Sequence, residues 1–170
     1  MNVNISSATM TKSIITFSLF IICSSLFAQD YYWVGGSGNW SDYENHWATS
    51  SGGSTFHTQA PTSEDNVFFD ANSFDSFGQV VTLDEHAYCL SMDWGEATNF
   101  PIIDGEDYDM NIHGSLTLSA DMTAVFGDLE FESNTTGNTI TTNGTDLGTT
   151  SNVRLNGIGG EWTLMDNLSC

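Results

Sequence analysis

Five short runs of alternating apolar and polar residues decide the fold of this chain. They are Leu90-Ser91-Met92-Asp93-Trp94, Ser115-Leu116-Thr117-Leu118, Asp128-Leu129-Glu130-Phe131, Asn152-Val153-Arg154-Leu155 and Glu161-Trp162-Thr163-Leu164. Alternation with a period of two is typical of a β-strand that buries one face. The residues between the runs are rich in Gly, Ser, Thr and Asn, which favour turns, and no long stretch has the apolar spacing of a helix. The chain is therefore predicted to be all-β.

The runs also recur at a fixed spacing. Met92, Leu116, Ile140 and Leu164 are each 24 residues apart. A fixed period between about 20 and 50 residues indicates a solenoid. We predict a right-handed parallel β-helix with coils of 24 residues, in which equivalent side chains stack about 4.8 Å apart. The alternative is an antiparallel β-sandwich, which does not require such a register.

Charge narrows the range of partners. The chain has 170 residues, of which 22 are Asp or Glu and only two, Lys12 and Arg154, are Lys or Arg, so its net charge is −20. Nucleic-acid binding depends on Lys and Arg, and so does attachment to an anionic membrane, so neither is expected. Aromatic residues make up 12% of the chain, which is enough to build a packed core. The expected partner is an extracellular glycan or a protein surface.

The first 28 residues resemble a targeting segment. Lys12 precedes an uncharged, mostly apolar run at 13–27, and Ala28 follows it. This is the pattern of a secretory signal peptide, and the run is shorter than the roughly 20 residues that span a bilayer. We therefore expect residues 1–28 to be a signal peptide and the protein to be secreted or held at the cell surface.

Two cysteines remain after the signal peptide, Cys89 and Cys170. In a 24-residue register they lie three coils apart and in different columns. Three coils span roughly 14 Å at the spacing of adjacent strands, whereas a disulfide needs Cα atoms within about 7 Å. We predict that the two cysteines do not pair with each other.

An aromatic segment precedes the repeats. It contains three tryptophans spaced by seven residues, Trp33, Trp40 and Trp47, with Gly35-Gly36-Ser37-Gly38 between the first two. The glycines argue against a helix and supply tight turns. An open solenoid end exposes core and unpaired backbone, so we expect residues 29–79 to form a cap and residues 80–170 to form the coils.

The same segment carries a resemblance to a known group of proteins. The residues are Trp33-Val-Gly-Gly-Ser-Gly-Asn-Trp40-Ser41, His46-Trp47 and Pro61-Thr-Ser-Glu-Asp65-Asn-Val67-Phe-Phe69-Asp70. They resemble the start of large secreted, repeat-rich surface proteins of Bacteroidetes-type bacteria, many of them exported by the type IX system. They are more loosely similar to the β-helix passengers of autotransporter adhesins. The resemblance implies a cell-surface β-helix without catalytic residues, and a chain that is the N-terminal piece of a longer protein.

One acidic cluster is a candidate metal site. Asp104, Glu106, Asp107 and Asp109 place four carboxylates around a glycine turn, a composition that can bind calcium. The alternative is a solvated loop between coils, because the spacing departs from that of an EF-hand. No other cofactor is expected, since the spacing of the four histidines matches no zinc pattern.

The aromatic residues suggest a second kind of site. Trp33, Trp40 and Trp47 are candidates for stacking on sugar rings, and packing within the cap is the alternative role. A polysaccharide lyase would need Arg or Lys at its site, and only Arg154 is available after the predicted signal peptide. We therefore expect a non-catalytic, structural or adhesin-like surface protein. The alternatives are a neutral-glycan-binding module and a polysaccharide hydrolase.

Overall fold

The computed structural model describes residues 28–148 and 152–169. Within them the chain forms fifteen short strands and one helical turn. In chain order these are β1 (Asp30–Trp33), β2 (Gly38–Asn39), α1 (Tyr43–His46), β3 (Trp47–Ala48), β4 (Asn66–Phe68), β5 (Val80–Thr82), β6 (Ala87–Cys89), β7 (Met92–Asp93), β8 (Ile102–Gly105), β9 (Met110–Ile112), β10 (Leu116–Thr117), β11 (Thr123–Phe126), β12 (Asp128–Phe131), β13 (Asn138–Thr141), β14 (Asn152–Leu155) and β15 (Trp162–Leu164).

The strands stack into three sheets. Sheet 1 has the order β15-β13-β10-β7-β4-β1-β3, sheet 2 the order β11-β8-β5-β2, and sheet 3 the order β14-β12-β9-β6. Within the described residues, these strands pair in parallel except for β1 with β3. From β4 to β12 the chain visits sheets 1, 2 and 3 in turn, so each circuit is one coil. The protein is therefore a parallel β-solenoid of about four turns, as predicted, and not an antiparallel sandwich.

The 24-residue register is confirmed in sheet 1. Met92 pairs with Leu116, Leu116 with Ile140, and Ile140 with Leu164. In the other sheets the spacing is often shorter, as where Ile103 pairs with Ala124. Corner loops of different lengths can absorb such differences without disturbing the stacked strands, so the sequence period describes sheet 1 better than the whole coil.

Alternation along each strand separates the interior from the surface. Met92, Leu116 and Ile140 form one inward column, and each is at most 1% exposed. On the outer face, hydroxyl groups form a polar ladder between coils. The Ser91 hydroxyl accepts a hydrogen bond from the Ser115 N–H (3.1 Å), and the Ser115 hydroxyl accepts one from the Thr139 N–H (3.0 Å). These outward hydroxyl groups therefore tie neighbouring coils together.

At the N-terminal end of the solenoid, β3 closes sheet 1. This strand runs antiparallel to β1, with Trp47 opposite Trp33 and Ala48 opposite Tyr32. An antiparallel strand reverses the direction of the chain and covers the backbone edge of the first coil. The predicted cap segment, 29–79, thus supplies this closing strand, and it also supplies β1, β2 and β4 to the stacked sheets.

Some sequence predictions concern residues outside the described ranges. Residues 1–27 and Cys170 lie there, so the signal peptide and the unpaired state of the two cysteines stay predictions. Cys89 is buried, and burial raises the pKa of its thiol. No helix in the described part of the chain is long and apolar enough to span a membrane.

Candidate functional site

The three cap tryptophans lie in the core. Trp33, Trp40 and Trp47 are 0%, 1% and 0% exposed. Trp47 meets Trp33 and Trp40 nearly edge-on, at ring-centroid distances of 4.9 and 4.8 Å. The indole N–H of Trp33 donates to the Gly36 carbonyl (2.7 Å), and that of Trp47 to the Trp40 carbonyl (2.8 Å). Burial corrects the expectation that these rings stack on sugars, since they present no face to solvent, and gives them the alternative role of cap packing.

His46 and the glycine turn complete this packing. The imidazole of His46 stacks on Trp33 at 4.5 Å, and its Nδ1 donates to the Val34 carbonyl (2.7 Å). Gly35 and Gly36 adopt φ angles of 83° and 76°, which side-chain-bearing residues rarely adopt. His46 thus packs within the cap, and the predicted turn role of the glycines is confirmed.

The four carboxylates proposed for calcium do not form a ligand cage. Asp104 lies exposed on β8, and Glu106 and Asp107 are exposed in the turn that follows. Asp109 instead faces His86, with 3.2 Å between its Oδ2 and the imidazole Nδ1. Across residues 28–148 and 152–169, no group of three His, Cys, Asp or Glu side chains is arranged to hold a metal ion. Calcium binding here stays a prediction without support from the geometry.

A different pair of aromatic residues faces solvent on sheet 1. Tyr32 on β1 and Phe68 on β4 are paired across the parallel strands and point outward, because their neighbours Tyr31, Val67 and Phe69 are buried. The two rings are stacked, with centroids 5.1 Å apart and planes inclined by 19°. Both side chains are only partly buried. They line a cleft of about 200 Å³.

Three carboxylates surround these rings. Asp70, Asp93 and Glu96 line the cleft together with Tyr32 and Phe68, and we call these five residues the aromatic cleft. Asp93 occupies the next rung after Phe68 in the outward column of sheet 1. Asp70 and Asp93 each accept one backbone hydrogen bond, from the N–H of the residue two positions later, both at 2.8 Å. These bonds hold both carboxylates in defined orientations beside the rings.

The electrostatic field of the aromatic cleft is negative. Burial and the carboxylates of Asp30 and Asp70 raise the pKa of the Tyr32 phenol. Among the described residues, no ion pair involves Asp70, Asp93 or Glu96. Arg154 lies instead on sheet 3, where its guanidinium contacts Asp128 and Glu130 at 2.6 and 2.7 Å. The cleft therefore combines aromatic faces with negative charge that lacks a described counter-ion.

Sequence reasoning missed this cleft because its residues do not follow the 24-residue register. Tyr32 and Phe68 are 36 positions apart, since α1 and β3 intervene between their strands. The available signal was alternation within the motif, in which Phe68 stands between two buried residues, Val67 and Phe69. That pattern places one aromatic ring outside, but it cannot identify the ring's partner.

A second exposed aromatic pair lies at a corner of the coil. Phe77 is 79% exposed and Phe100 is 50% exposed, and their rings are 5.2 Å apart. Asn99 and Phe100 adopt φ angles of 70° and 54°, in the left-handed region. That conformation is unusual for a bulky residue and is strained. The Asn99 amide supports the turn by donating to the Phe74 carbonyl (2.7 Å).

A more polar cleft of about 240 Å³ lies elsewhere on the surface. Its lining includes Glu64, His113 and Glu132 together with several hydroxyl groups. The His113 Nε2 and the Glu132 Oε2 are 3.5 Å apart, so the two side chains form an ion pair when the imidazole is protonated. Such a pair occurs readily between neighbouring rungs of a solenoid and assigns no chemistry by itself.

Comparisons with protein-family models, with curated proteins and with solved structures find no match to this chain. The fold and the surface features described above are therefore what indicate a function.

Proposed function

We propose that this protein is a secreted cell-surface β-solenoid with a structural and adhesive role and without catalytic activity. The supporting observation is sheet 1, in which seven strands stack from the cap to the last described coil. Backbone hydrogen bonds between coils and the hydroxyl ladder of Ser91 and Ser115 connect successive rungs. Such a stack is an extended scaffold whose sides can contact a partner.

We also propose membership in the repeat-rich surface proteins that the sequence motif resembles. The motif residues of this chain build the cap, which gives the motif a structural meaning. Asp65 is buried, and its carboxylate accepts hydrogen bonds from the Thr62 N–H (3.0 Å), the Thr62 hydroxyl (2.7 Å) and the Gln29 N–H (3.2 Å). The Pro-Thr-x-x-Asp pattern thus ties the segment before β4 to the start of β1.

Surface labelling of intact cells tests the proposed location. Antibodies raised against the purified chain are applied to cells of the source organism before and after lysis, with a cytoplasmic protein as the control. We expect labelling of intact cells, or of the medium, at a level that lysis does not greatly increase. Labelling that appears only after lysis would contradict a secreted protein.

A neutral-glycan-binding module is the second candidate function, and the exposed pair Phe77 and Phe100 favours it. Two neighbouring aromatic faces can stack on the apolar face of a sugar ring, and the strained turn at Phe100 holds the rings together. Sugars that carry negative charge would be repelled by this acidic chain.

Calorimetric titration with neutral oligosaccharides tests this second function. We expect saturable heat from the full chain and its loss in Phe77→Ala and Phe100→Ala. Ile158→Ala is the matched control, because Ile158 is 95% exposed and apolar but has no aromatic ring. Equal loss in the control, or no binding to any neutral sugar, would reject the module.

A further inference from the structure

The aromatic cleft differs from the rest of its column in a way that the fold does not require. The outward column of sheet 1 runs from Tyr32 through Phe68 and Asp93 to Thr117 and Thr141. The two threonines show that a small hydroxyl side chain satisfies this position in the later coils. Two partly exposed rings and a carboxylate in the first coils therefore call for a reason other than folding.

We propose that the aromatic cleft binds an arginine side chain from a basic segment of a partner protein. The inference deepens the adhesive role proposed above by naming the chemistry of the partner. It rests on that role only in taking a protein as the partner, because the preference of the cleft for a cation is a property of the isolated chain.

The stacked rings supply the first part of the recognition. A cation within about 6 Å of an aromatic centroid is attracted by the negative face of the ring. Tyr32 and Phe68 are stacked with their centroids 5.1 Å apart, so each ring covers one face of the other and offers its outer face, and Asp93 occupies the rung next to Phe68. A planar guanidinium can lie against an aromatic face while its edge remains free to donate hydrogen bonds.

The carboxylates supply the second part. Asp70, Asp93 and Glu96 line the same cleft as the rings, and no described ion pair neutralises them. Guanidinium forms paired hydrogen bonds with carboxylates, which a compact ammonium group cannot match. Arg154 shows that a guanidinium can serve two carboxylates at once in this fold, because its Nη1 donates one hydrogen bond to Asp128 and one to Glu130 on sheet 3.

Size and polarity favour one side chain over a glycan. The cleft measures about 200 Å³, below the range of roughly 300–1,000 Å³ that is usual for larger ligands. Its charged groups are all hydrogen-bond acceptors, and the Tyr32 hydroxyl is the donor among its ionisable and aromatic side chains. An uncharged sugar supplies hydroxyl donors but no positive charge for the three carboxylates, whereas a guanidinium supplies both charge and donors.

Titration with short peptides tests the proposal on the full chain. The probes are the blocked tripeptides Gly-Arg-Gly and Gly-citrulline-Gly, which differ in charge but have nearly the same shape, and a neutral disaccharide. Binding is followed by NMR through the backbone amides of Phe68, Asp93 and Gly95. We expect saturable shifts with the arginine peptide, weaker binding at higher salt, and no saturation with the other two probes.

Variants separate the cleft from the general negative charge of the chain. Phe68→Thr copies the threonines of the later coils, and Asp93→Asn removes charge while keeping the shape of the side chain. Each is expected to weaken arginine-peptide binding about tenfold, as the loss of a partly desolvated cation–π or charged contact would. Asp104→Asn is the matched control, because it removes an exposed carboxylate on β8, away from the cleft lining, and it should change the affinity less than about twofold.

Several results would contradict arginine binding by the aromatic cleft. Equal weakening by Asp104→Asn, equal binding of the citrulline peptide, or no binding of the arginine peptide at millimolar concentration would overturn the proposal. Saturation by the disaccharide at the same amides would make the cleft a glycan site instead. Arginine binding together with labelling only after lysis would keep the cleft and reject the cell-surface role, so the two proposals can fail separately.

Discussion

The two ends of this solenoid differ in how far their apolar side chains are covered. At the N-terminal end, β3 closes sheet 1, and Trp33 and Trp47 pack against each other out of contact with solvent. In the last described coil, Leu155, Leu164 and Met165 are 58%, 52% and 60% exposed. Apolar side chains thus reach the surface at one end and are covered by a dedicated cap at the other.

The difference shows that burial in a solenoid depends on the neighbouring coil. Leu164 stands in the same column as Met92, Leu116 and Ile140, which are at most 1% exposed. Its chemistry and register match theirs, but no described coil follows it. The stability of each coil is therefore set mainly by the interfaces with its immediate neighbours.

The largest expected effect on stability is the difference between Leu→Ala at position 116 and Leu→Ala at position 164 of this column. Leu116→Ala removes a fully buried side chain between two coils and should lower the free energy of unfolding by about 2–5 kcal/mol. Leu164→Ala removes a half-exposed side chain and should cost less than about 1 kcal/mol. Urea denaturation followed by circular dichroism measures both. An equal cost at the two positions would mean that the last coil is covered in solution.

A smaller difference in stability is expected between substitutions of two buried tryptophans, Trp47 and Trp94. The indole N–H of Trp47 donates to the Trp40 carbonyl, whereas that of Trp94 is buried without a hydrogen-bond partner among the described residues. Trp47→Phe should therefore destabilise the chain by about 1–3 kcal/mol more than Trp94→Phe, since both leave a similar gap but only one breaks a hydrogen bond. Thermal melting of the two variants checks the order, and the reverse order would contradict the special role of the cap.

The smallest expected effects are on the pH dependence of stability. They fall at alkaline pH for the cap and at acid pH for the last coil. Burial and the Asp65 carboxylate raise the pKa of Tyr31, in the cap, from 10.0 to about 12. Its contribution to stability is complete below pH 10 and is lost as the pH rises toward about 12. In the last coil, hydrogen bonds from Thr142 and Asn143 hold the pKa of Asp166 below 3.8. Its contribution is present above 3.8 and is lost as the pH falls through that lower pKa.

Two variants isolate these contributions. Tyr31→Phe should flatten the alkaline part of the stability profile and leave the acid part unchanged, and Asp166→Asn should do the opposite. Denaturant midpoints measured from pH 2 to pH 12 give the profiles. A variant that alters both parts, or neither, would show that its end of the molecule does not respond to pH by itself.

Local alternation and spacing were sufficient to predict the solenoid. The stacking of Leu116 on Met92 and of Ile140 on Leu116 depends on a repeat that is visible in the sequence. The glycine turn of the cap was predicted as well, because glycine readily adopts positive φ angles. The candidate cleft was not predicted, since Tyr32 and Phe68 lie in the first coils, where the excursion through α1 and β3 breaks the period.

The sequence by itself determined the all-β class, the coil register of sheet 1 and the excess of negative charge, because alternation, period and composition are local properties of the chain. Only the tertiary structure decided which aromatic rings are buried. It placed Trp33, Trp40 and Trp47 inside and left Tyr32 and Phe68 partly exposed beside three carboxylates. The physical reason is that a ring's exposure depends on the coil or cap strand that covers it, and that neighbour is set by how the whole chain winds.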